Sequence, residues 1–127
     1  MELISLHKCL CDRQRLRIVN LLSEGPLCVC HLQEILGENQ AKISKQLQYM
    51  KKLGVVFARR EGVWMVYSLP VPMHPVLLAN VAYLRSNEAD DFACFAEDLQ
   101  TRSSILQRYA DNIVECPQAV YQSATGC

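Results

Sequence analysis

The chain has 127 residues, of which 50% are hydrophobic, with 13 basic and 13 acidic side chains and seven cysteines. This length and composition predict one folded domain and exclude an intrinsically disordered chain. Charged side chains interrupt the N-terminal stretch, and no apolar run approaches the roughly 18 residues needed to span a bilayer, so we expect a cytoplasmic protein without a secretory leader. In a reducing compartment, an odd number of cysteines favours metal-binding, redox-active or packing roles over a disulfide framework.

The positive charge is concentrated in one segment. Residues 39–60 carry six basic side chains and no acidic one, whereas residues 61–127 carry three basic and eight acidic side chains. Contacts between basic side chains and phosphates release counterions and supply affinity that does not depend on sequence. The segment therefore predicts a phosphate-contacting surface. The alternative is a solvated helix face, which would normally mix both signs.

Three short helices are predicted in the first part of the chain. Leucines at helical spacing indicate a helix before Asp12, which is a candidate N-cap for a second helix. Gly25 and Pro26 end that second helix, because glycine is favoured just past a helix and proline cannot continue one. A third helix is predicted over Cys28–Leu36, and Gly37 ends it.

The clearest amphipathic helix follows, with Ile43, Leu47 and Met50 on one face and polar donors elsewhere. Two β-type runs, 55–60 and 63–69, come next and are joined at a Glu-Gly pair that favours a hairpin. A short helix, a turn, a basic helix and a hairpin is the order of a winged helix-turn-helix. We therefore predict a mainly α fold with a small β-hairpin wing.

The second half predicts helices of a different kind. Three prolines precede a helix, and apolar residues from Phe92 to Ile113 then recur at about 3.5-residue intervals, with Arg102 in one inward slot. Such a seam commonly packs against another helix. We interpret it as a dimer interface; the alternative is packing on the first two helices of the same chain.

These elements define the predicted organisation. Residues 1–113 form a single winged helix-turn-helix domain, in which 1–70 are the DNA-binding core and wing and 74–113 are C-terminal dimerisation helices. Residues 114–127 show no periodicity and are expected to form a flexible tail. A two-fold dimer would present its recognition helices to half-sites about one helical turn of DNA apart.

Cys28 and Cys30 stand at the predicted start of the third helix. Residues two apart on a regular helix point roughly 200° apart, so both thiols can reach one ion only if Cys28 precedes the helix or the first turn is distorted. A helix N-terminus favours the thiolate, which is the form that binds soft ions. A lone Cys-x-Cys also fits two buried structural cysteines.

Four stretches, in order, resemble the ArsR/SmtB family of metalloregulatory repressors. Residues 10–18 are similar to the family's "LADPTRLRIL", residues 27–32 to the arsenical-sensing "LCVCDL", residues 43–47 to the recognition-helix "VSRHL", and residues 59–62 to the wing. The resemblance implies a homodimer that binds an inverted-repeat operator without a cofactor and releases it when an inducer binds. Genes for metalloid resistance are the implied targets.

The chain departs from the family's three-thiol site. Gln33 occupies the position of the third cysteine, whereas trivalent arsenic and antimony favour three sulfur ligands. The site is therefore completed from elsewhere or serves a two-thiol ligand such as a methylated trivalent arsenical. The candidates for a third metal ligand beside Cys28 and Cys30 are Cys9, Cys11, Cys94, Cys116 and Cys127.

Two histidines bear on other metals. His31 replaces the family's usual aspartate and, with the two thiols, suggests zinc or cadmium, which accept nitrogen with sulfur; we expect its side chain to face solvent. His74 is the only histidine near the C-terminal helix that holds the family's other inducer site. It precedes the predicted helix, so a zinc site there is not expected.

The predicted DNA contacts lie on the basic helix and the wing. Glutamine can read adenine and lysine can contact guanine in the major groove, while the remaining basic residues would meet phosphates. The predicted DNA-binding residues are Gln40, Lys42, Ser44, Lys45, Gln46, Lys51, Lys52, Arg59 and Arg60.

The sequence thus predicts a homodimeric repressor that releases its operator when trivalent arsenic or antimony binds the cysteine thiolates. The alternative is a repressor of the same fold that responds to thiol oxidation or to cadmium or zinc. An enzyme is not expected, because a catalytic thiolate needs a paired base in a cleft and only His31 is adjacent to the cysteine pair.

Overall fold

The structure is a computed structural model that describes residues 2–86 and 93–111. Phe92, Ile113, Cys116, Cys127 and the predicted tail lie outside the described residues. In the described part, the elements in chain order are α1 (Leu3–Leu10), α2 (Arg13–Leu22), β1 (Leu27–Cys28), α3 (Val29–Leu36), α4 (Gln40–Lys52), β2 (Phe57–Glu61), β3 (Trp64–Ser68), α5 (Pro75–Leu84) and α6 (Cys94–Asp111).

Capping side chains and glycine turns set the ends of the helices; of the caps at Asp12 and Asn39, the one at Asp12 was predicted. The Asp12 carboxylate accepts a hydrogen bond from the backbone N–H of Arg15 and so satisfies a donor at the start of α2. Asn39 does the same for α4 through the N–H of Lys42, at 2.9 Å. Gly37 ends α3 with a φ of 62°, a left-handed conformation that glycine adopts without strain. The α3–turn–α4 pair is therefore the predicted helix-turn-helix.

One hydrophobic core supports this pair. The predicted inward residues of α4, Ile43, Leu47 and Met50, are completely buried, together with Ile18 of α2 and Leu32 of α3. Burial of such a side chain contributes roughly 1.5–3 kcal/mol to folding. The exposed face of α4 is thereby fixed relative to α3.

The wing belongs to a three-stranded antiparallel sheet with the order β1-β3-β2. The hairpin β2–β3 is the predicted one, and Gly62 at its turn has a φ of 63°. The sequence did not predict β1, in which Leu27 pairs with Tyr67 and Cys28 with Val66. The fold is confirmed as mainly helical with a small β-sheet wing, and β1 joins the wing to the start of α3.

The inward positions of the predicted C-terminal seam pack within the chain, whereas its role in a dimer stays a prediction. Helix α6 packs against α2 and α3 of its own chain, which buries Phe95, Leu106 and the predicted inward Arg102. The core formed by the first three helices needs this cover, so the seam is filled within the chain.

None of the described helices is long and apolar enough to cross a membrane.

An ion pair fixes α6 on α2. Arg17 donates two hydrogen bonds to the Asp98 carboxylate, from Nε and Nη2, both at 2.8 Å. Asp98 is only 4% exposed, and the hydrogen bond to this carboxylate is the main cause of the raised pKa of Arg17. The bidentate geometry gives the contact both strength and direction.

We predict that Asp98→Asn lowers the free energy of unfolding by about 2 kcal/mol, because it leaves the partly buried guanidinium of Arg17 without its countercharge. Urea denaturation monitored by circular dichroism measures the change. Glu97→Gln, an exposed carboxylate one residue away, is the control and should change the value by less than about 0.5 kcal/mol. Equal stabilities of the two variants would contradict the assigned role.

Candidate thiol site and nucleic-acid interface

The two thiols meet because Cys28 lies outside the helix. Its backbone is extended, with φ −82° and ψ 161°, so it is the N-cap of α3 and the last residue of β1. Cys30 lies in the first helical turn. The sulfur atoms of both cysteines and a ring nitrogen of His31 all lie within 4.8 Å of one another. Of the two arrangements that would let both thiols reach one ion, the structure thus shows the one in which Cys28 precedes the helix.

The thiol pair is chemically asymmetric. Cys28 is buried, at 1% exposure, and Cys30 is half-buried. A hydrogen bond from the Cys28 side chain lowers the pKa of Cys30 from 9.0 to about 7, assisted by backbone hydrogen bonds with His31 and Cys30 and opposed by burial. A large fraction of Cys30 is therefore thiolate near neutral pH, which is the form that binds soft ions.

His31 does not face solvent, contrary to our expectation. It is completely buried, its Nδ1 accepts a hydrogen bond from the backbone N–H of Cys28 at 3.2 Å, and its ring meets Tyr109 of α6 edge-on at 4.9 Å. Burial, and secondarily the charge of Arg102, lowers the pKa of His31 to about 4. The ring is therefore neutral at pH 7, so its Nδ1 can accept a hydrogen bond. It reaches the N–H of Cys28 because a side chain at position N3 of a helix can turn back towards the N-cap.

The other candidate ligands do not join this group. Cys9 is completely buried, and desolvation raises the pKa of its thiol to about 11. Cys11 is exposed and donates to the carbonyl of Lys8, and Cys94 is half-buried at the start of α6. Among the described residues, the group of three formed by Cys28, Cys30 and His31 is the one that could hold a metal ion.

A cleft of about 280 Å³ opens beside the thiols. Its lining joins three parts of the fold, because Gln33 comes from α3, Gln40 from the start of α4, and Trp64 and Met65 from β3. These two β3 residues were not among the predicted site residues. The signal would have been the pairing of β1 with β3, which brings the wing against the cysteines.

Three of the basic residues predicted to contact DNA lie together between α4 and the wing. Lys51, Lys52 and Arg60 line a groove of about 580 Å³ between the end of α4 and the wing. Arg59 forms an ion pair with Glu61, and Lys42 lies 3.6 Å from Glu38. Gln40 and Lys45 are exposed and Ser44 is half-buried.

Gln46 differs from the other predicted DNA contacts. Its amide nitrogen donates to Asp12 Oδ2 at 3.2 Å and to Gln14 Oε1 at 3.1 Å, and its oxygen accepts from Arg15 at 3.1 Å. These bonds direct the side chain towards the start of α2. In this conformation it connects the two helices and is not presented on the exposed face of α4.

Comparisons with known proteins agree with this architecture. The family model described as "Bacterial regulatory protein, arsR family" matches residues 12–57. The arsenical resistance operon repressor of Escherichia coli is 46% identical over 67 residues, which are 52% of this chain and 57% of that protein, so the match spans less than two thirds of the relative. The cadmium resistance transcriptional regulatory protein CadC homolog of Staphylococcus aureus is 36% identical over 69% of this chain and 73% of its own length.

A solved structure extends the match to the fold. The homodimeric winged helix-turn-helix DNA-binding domain of Mb0332 from Mycobacterium bovis, described as a possible ArsR-family regulator, aligns with a TM-score of 0.56 and 28% identity. The alignment covers 70% of this chain and 78% of that one. Together with the family model and the relatives, this shows that the chain belongs to the ArsR family of bacterial regulatory proteins.

Proposed function

We propose that this protein is a cytoplasmic, homodimeric transcriptional repressor, and not an enzyme, that releases its operator when trivalent arsenic or antimony binds Cys28 and Cys30. The observation that carries the proposal is the position of the thiol pair. Cys28 lies at the junction of β1 and α3, so it is paired with the wing strand β3 on one side and begins the helix-turn-helix on the other. A ligand bound there acts on both DNA-contacting elements.

The DNA-binding half of the proposal rests on charge and exposure. Lys51, Lys52 and Arg60 line one groove beside the wing, and Gln40 and Lys45 of α4 are exposed. The proposed division is that the α4 side chains read bases in the major groove and the groove residues position the duplex. Operator DNA and regulated metalloid resistance genes are the proposed targets.

The homodimer is supported by apolar surface that α6 leaves uncovered. Leu3 and Ile4 of α1 are 48% and 58% exposed, and Leu78 and Tyr83 of α5 are each 54% exposed. Helix α5 lies in the segment 74–113 that the sequence assigns to dimerisation. A second copy of the chain would bury these side chains, and the solved relative from Mycobacterium bovis is homodimeric.

A second candidate function is a response to cadmium or zinc. The His31 nitrogen lies within 4.8 Å of both sulfurs, and borderline ions accept two sulfurs and one nitrogen. Its Nδ1, however, already accepts the hydrogen bond from Cys28. Ligation through that atom would break the hydrogen bond from the Cys28 N–H, whereas a ligand held by sulfur alone leaves this bond in place.

We predict that arsenite releases DNA from the wild-type complex but not from the Cys28→Ser, Cys30→Ser double variant, which should still bind DNA. The operator is a duplex selected from a random library with the wild-type protein, and fluorescence anisotropy measures release. Cys11→Ser, which removes an exposed thiol elsewhere, should behave like the wild type. Undiminished release from the double variant contradicts the proposal, and release by cadmium but not by arsenite favours the second candidate.

We predict that Lys52→Ala weakens binding to all duplex sequences by a similar factor and reduces the slope of log K against log salt by about 1, because one phosphate contact is lost. Anisotropy titrations between low and moderate salt measure the slope. Lys8→Ala removes the same charge from the exposed side of α1 and is the matched control. An unchanged slope in Lys52→Ala would place the DNA elsewhere.

We predict that alkylation of Cys30 by iodoacetamide reaches half its maximal rate near pH 7. Below that pH the side chain is an unreactive thiol, and above it the reactive thiolate. Cys28→Ala removes the hydrogen bond that stabilises the thiolate, so the midpoint should move towards the usual value of 9.0. Peptide-resolved mass spectrometry separates Cys30 from the other thiols. A midpoint that does not move in Cys28→Ala would show that Cys28 has no such role.

A further inference from the structure

We propose that the site takes a trivalent arsenical with one neutral organic substituent, which lies in the cleft against the wing residue Trp64 while Cys28 and Cys30 bind the arsenic. This inference rests on the proposed function and narrows it. It assigns the ligand's organic group to a defined place, and it makes Trp64 a residue that determines specificity.

The number of sulfur ligands at the site favours an arsenical with one organic substituent. Among the described residues, the group that could hold a metal ion contains two thiols, those of Cys28 and Cys30. Its third potential ligand is a nitrogen of His31 and not a sulfur. His31 Nδ1 accepts the hydrogen bond that caps α3. The family's third sulfur position is Gln33, which lines the cleft. Two sulfurs satisfy two of the three bonds of trivalent arsenic, and an arsenic–carbon bond satisfies the third.

The bonding step balances without an oxidant or reductant. An organyl arsonous acid, R–As(OH)₂, reacts with the two thiols to give R–As(S–Cys)₂ and two molecules of water. Two arsenic–oxygen bonds break and two arsenic–sulfur bonds form, and the thiol protons leave in the water. The arsenic–carbon bond stays intact, so the group R remains directed away from both sulfurs.

The shape and chemistry of the cleft also favour a neutral organic substituent. Its volume of about 280 Å³ exceeds the roughly 150 Å³ of an apolar cavity that accommodates benzene. The lining beyond the thiols includes Val63, Trp64 and Met65 on one side and the uncharged Gln33 on the other. None of the described residues that line it is Lys, Arg, Asp or Glu, which favours a neutral substituent over a charged one.

A contact between the organic substituent and Trp64 would link the ligand to the wing. Trp64 is the first residue of β3, the strand that carries the pairing of Cys28 with Val66. A substituent against Trp64 would connect the arsenic directly to the wing, besides the connection through the backbone. Inorganic arsenite offers a hydroxyl at this place and makes no comparable apolar contact.

The test compares phenylarsine oxide, which hydrates to the arsonous acid, with arsenite. Equilibrium dialysis with arsenic quantification gives the affinity of the full chain for each, after subtraction of the arsenic bound by the Cys28→Ser, Cys30→Ser double variant. We expect Trp64→Ala to weaken phenylarsine oxide binding about tenfold, the loss of one aromatic contact, and to leave arsenite binding within about twofold.

Two further variants separate a binding role from a folding role. Trp64→Phe keeps an aromatic ring and should retain most of the affinity. Phe57→Ala removes an aromatic side chain of the same hairpin that is 55% exposed and does not line the cleft, and it should bind both compounds like the wild type. Because Trp64 is the single tryptophan, phenylarsine oxide should also change the fluorescence of the wild type.

The failures of the two proposals are distinguishable. If Trp64→Ala binds phenylarsine oxide as the wild type does, or loses both compounds equally, the organic subsite is wrong while the thiol site stands. If the double cysteine variant binds both compounds as tightly as the wild type and still releases DNA, the proposed function fails, and the subsite fails with it.

Discussion

The hydrogen bond from the Cys28 N–H to His31 Nδ1 is the contact on which the site depends. It holds Cys28 in an extended conformation at the N-cap of α3, and this conformation lets the two sulfurs face one another. A regular helical conformation at Cys28 would separate them by roughly 200° around the axis. The same extended conformation also allows Cys28 to pair with Val66 of the wing. The extended conformation of Cys28 thus determines both the ligand geometry and the connection to β3.

Helix α6 packs against α3 and supports this arrangement. The ring of Tyr109 packs edge-on against His31, and Arg108 forms an ion pair with Glu34, one turn further along α3. The second of these contacts is exposed and therefore contributes little to stability. The buried ring contact is the stronger constraint, because movement of His31 would require α6 to move or Tyr109 to change its rotamer. His31 therefore connects the cap of α3 to α6.

Most of the fold could be predicted from periodicity and capping, and most of the misses have a common cause. The helices, the caps at Asp12 and the hairpin follow local rules, since each is decided by residues within one or two turns. Strand β1 has two residues, too few for an alternating pattern. The inward position of His31 depends on where α6 lies, and the contacts of α6 with α2 and α3 join residues more than 70 positions apart. The cleft against Trp64 depends on another long-range contact, the pairing of β1 with β3.

The energetics of derepression define what this geometry must accomplish in the proposed mechanism. To shift the ratio of DNA-bound to DNA-free protein from about 99:1 to about 1:99, the ligand must bind the DNA-free state roughly 10⁴-fold more tightly, a difference of about 5.5 kcal/mol. By linkage, DNA must weaken the affinity of the protein for the ligand by the same factor. Distortion of one helical turn is a small local change, but β1 transmits it directly. Because Cys28 is both the N-cap of α3 and a partner of β3, a rotation of its side chain towards a shared arsenic atom would act on the helix-turn-helix and on the wing, the two parts proposed to contact the duplex. The required preference can therefore be divided between α4, whose base contacts would be displaced, and the wing, whose phosphate contacts would change register.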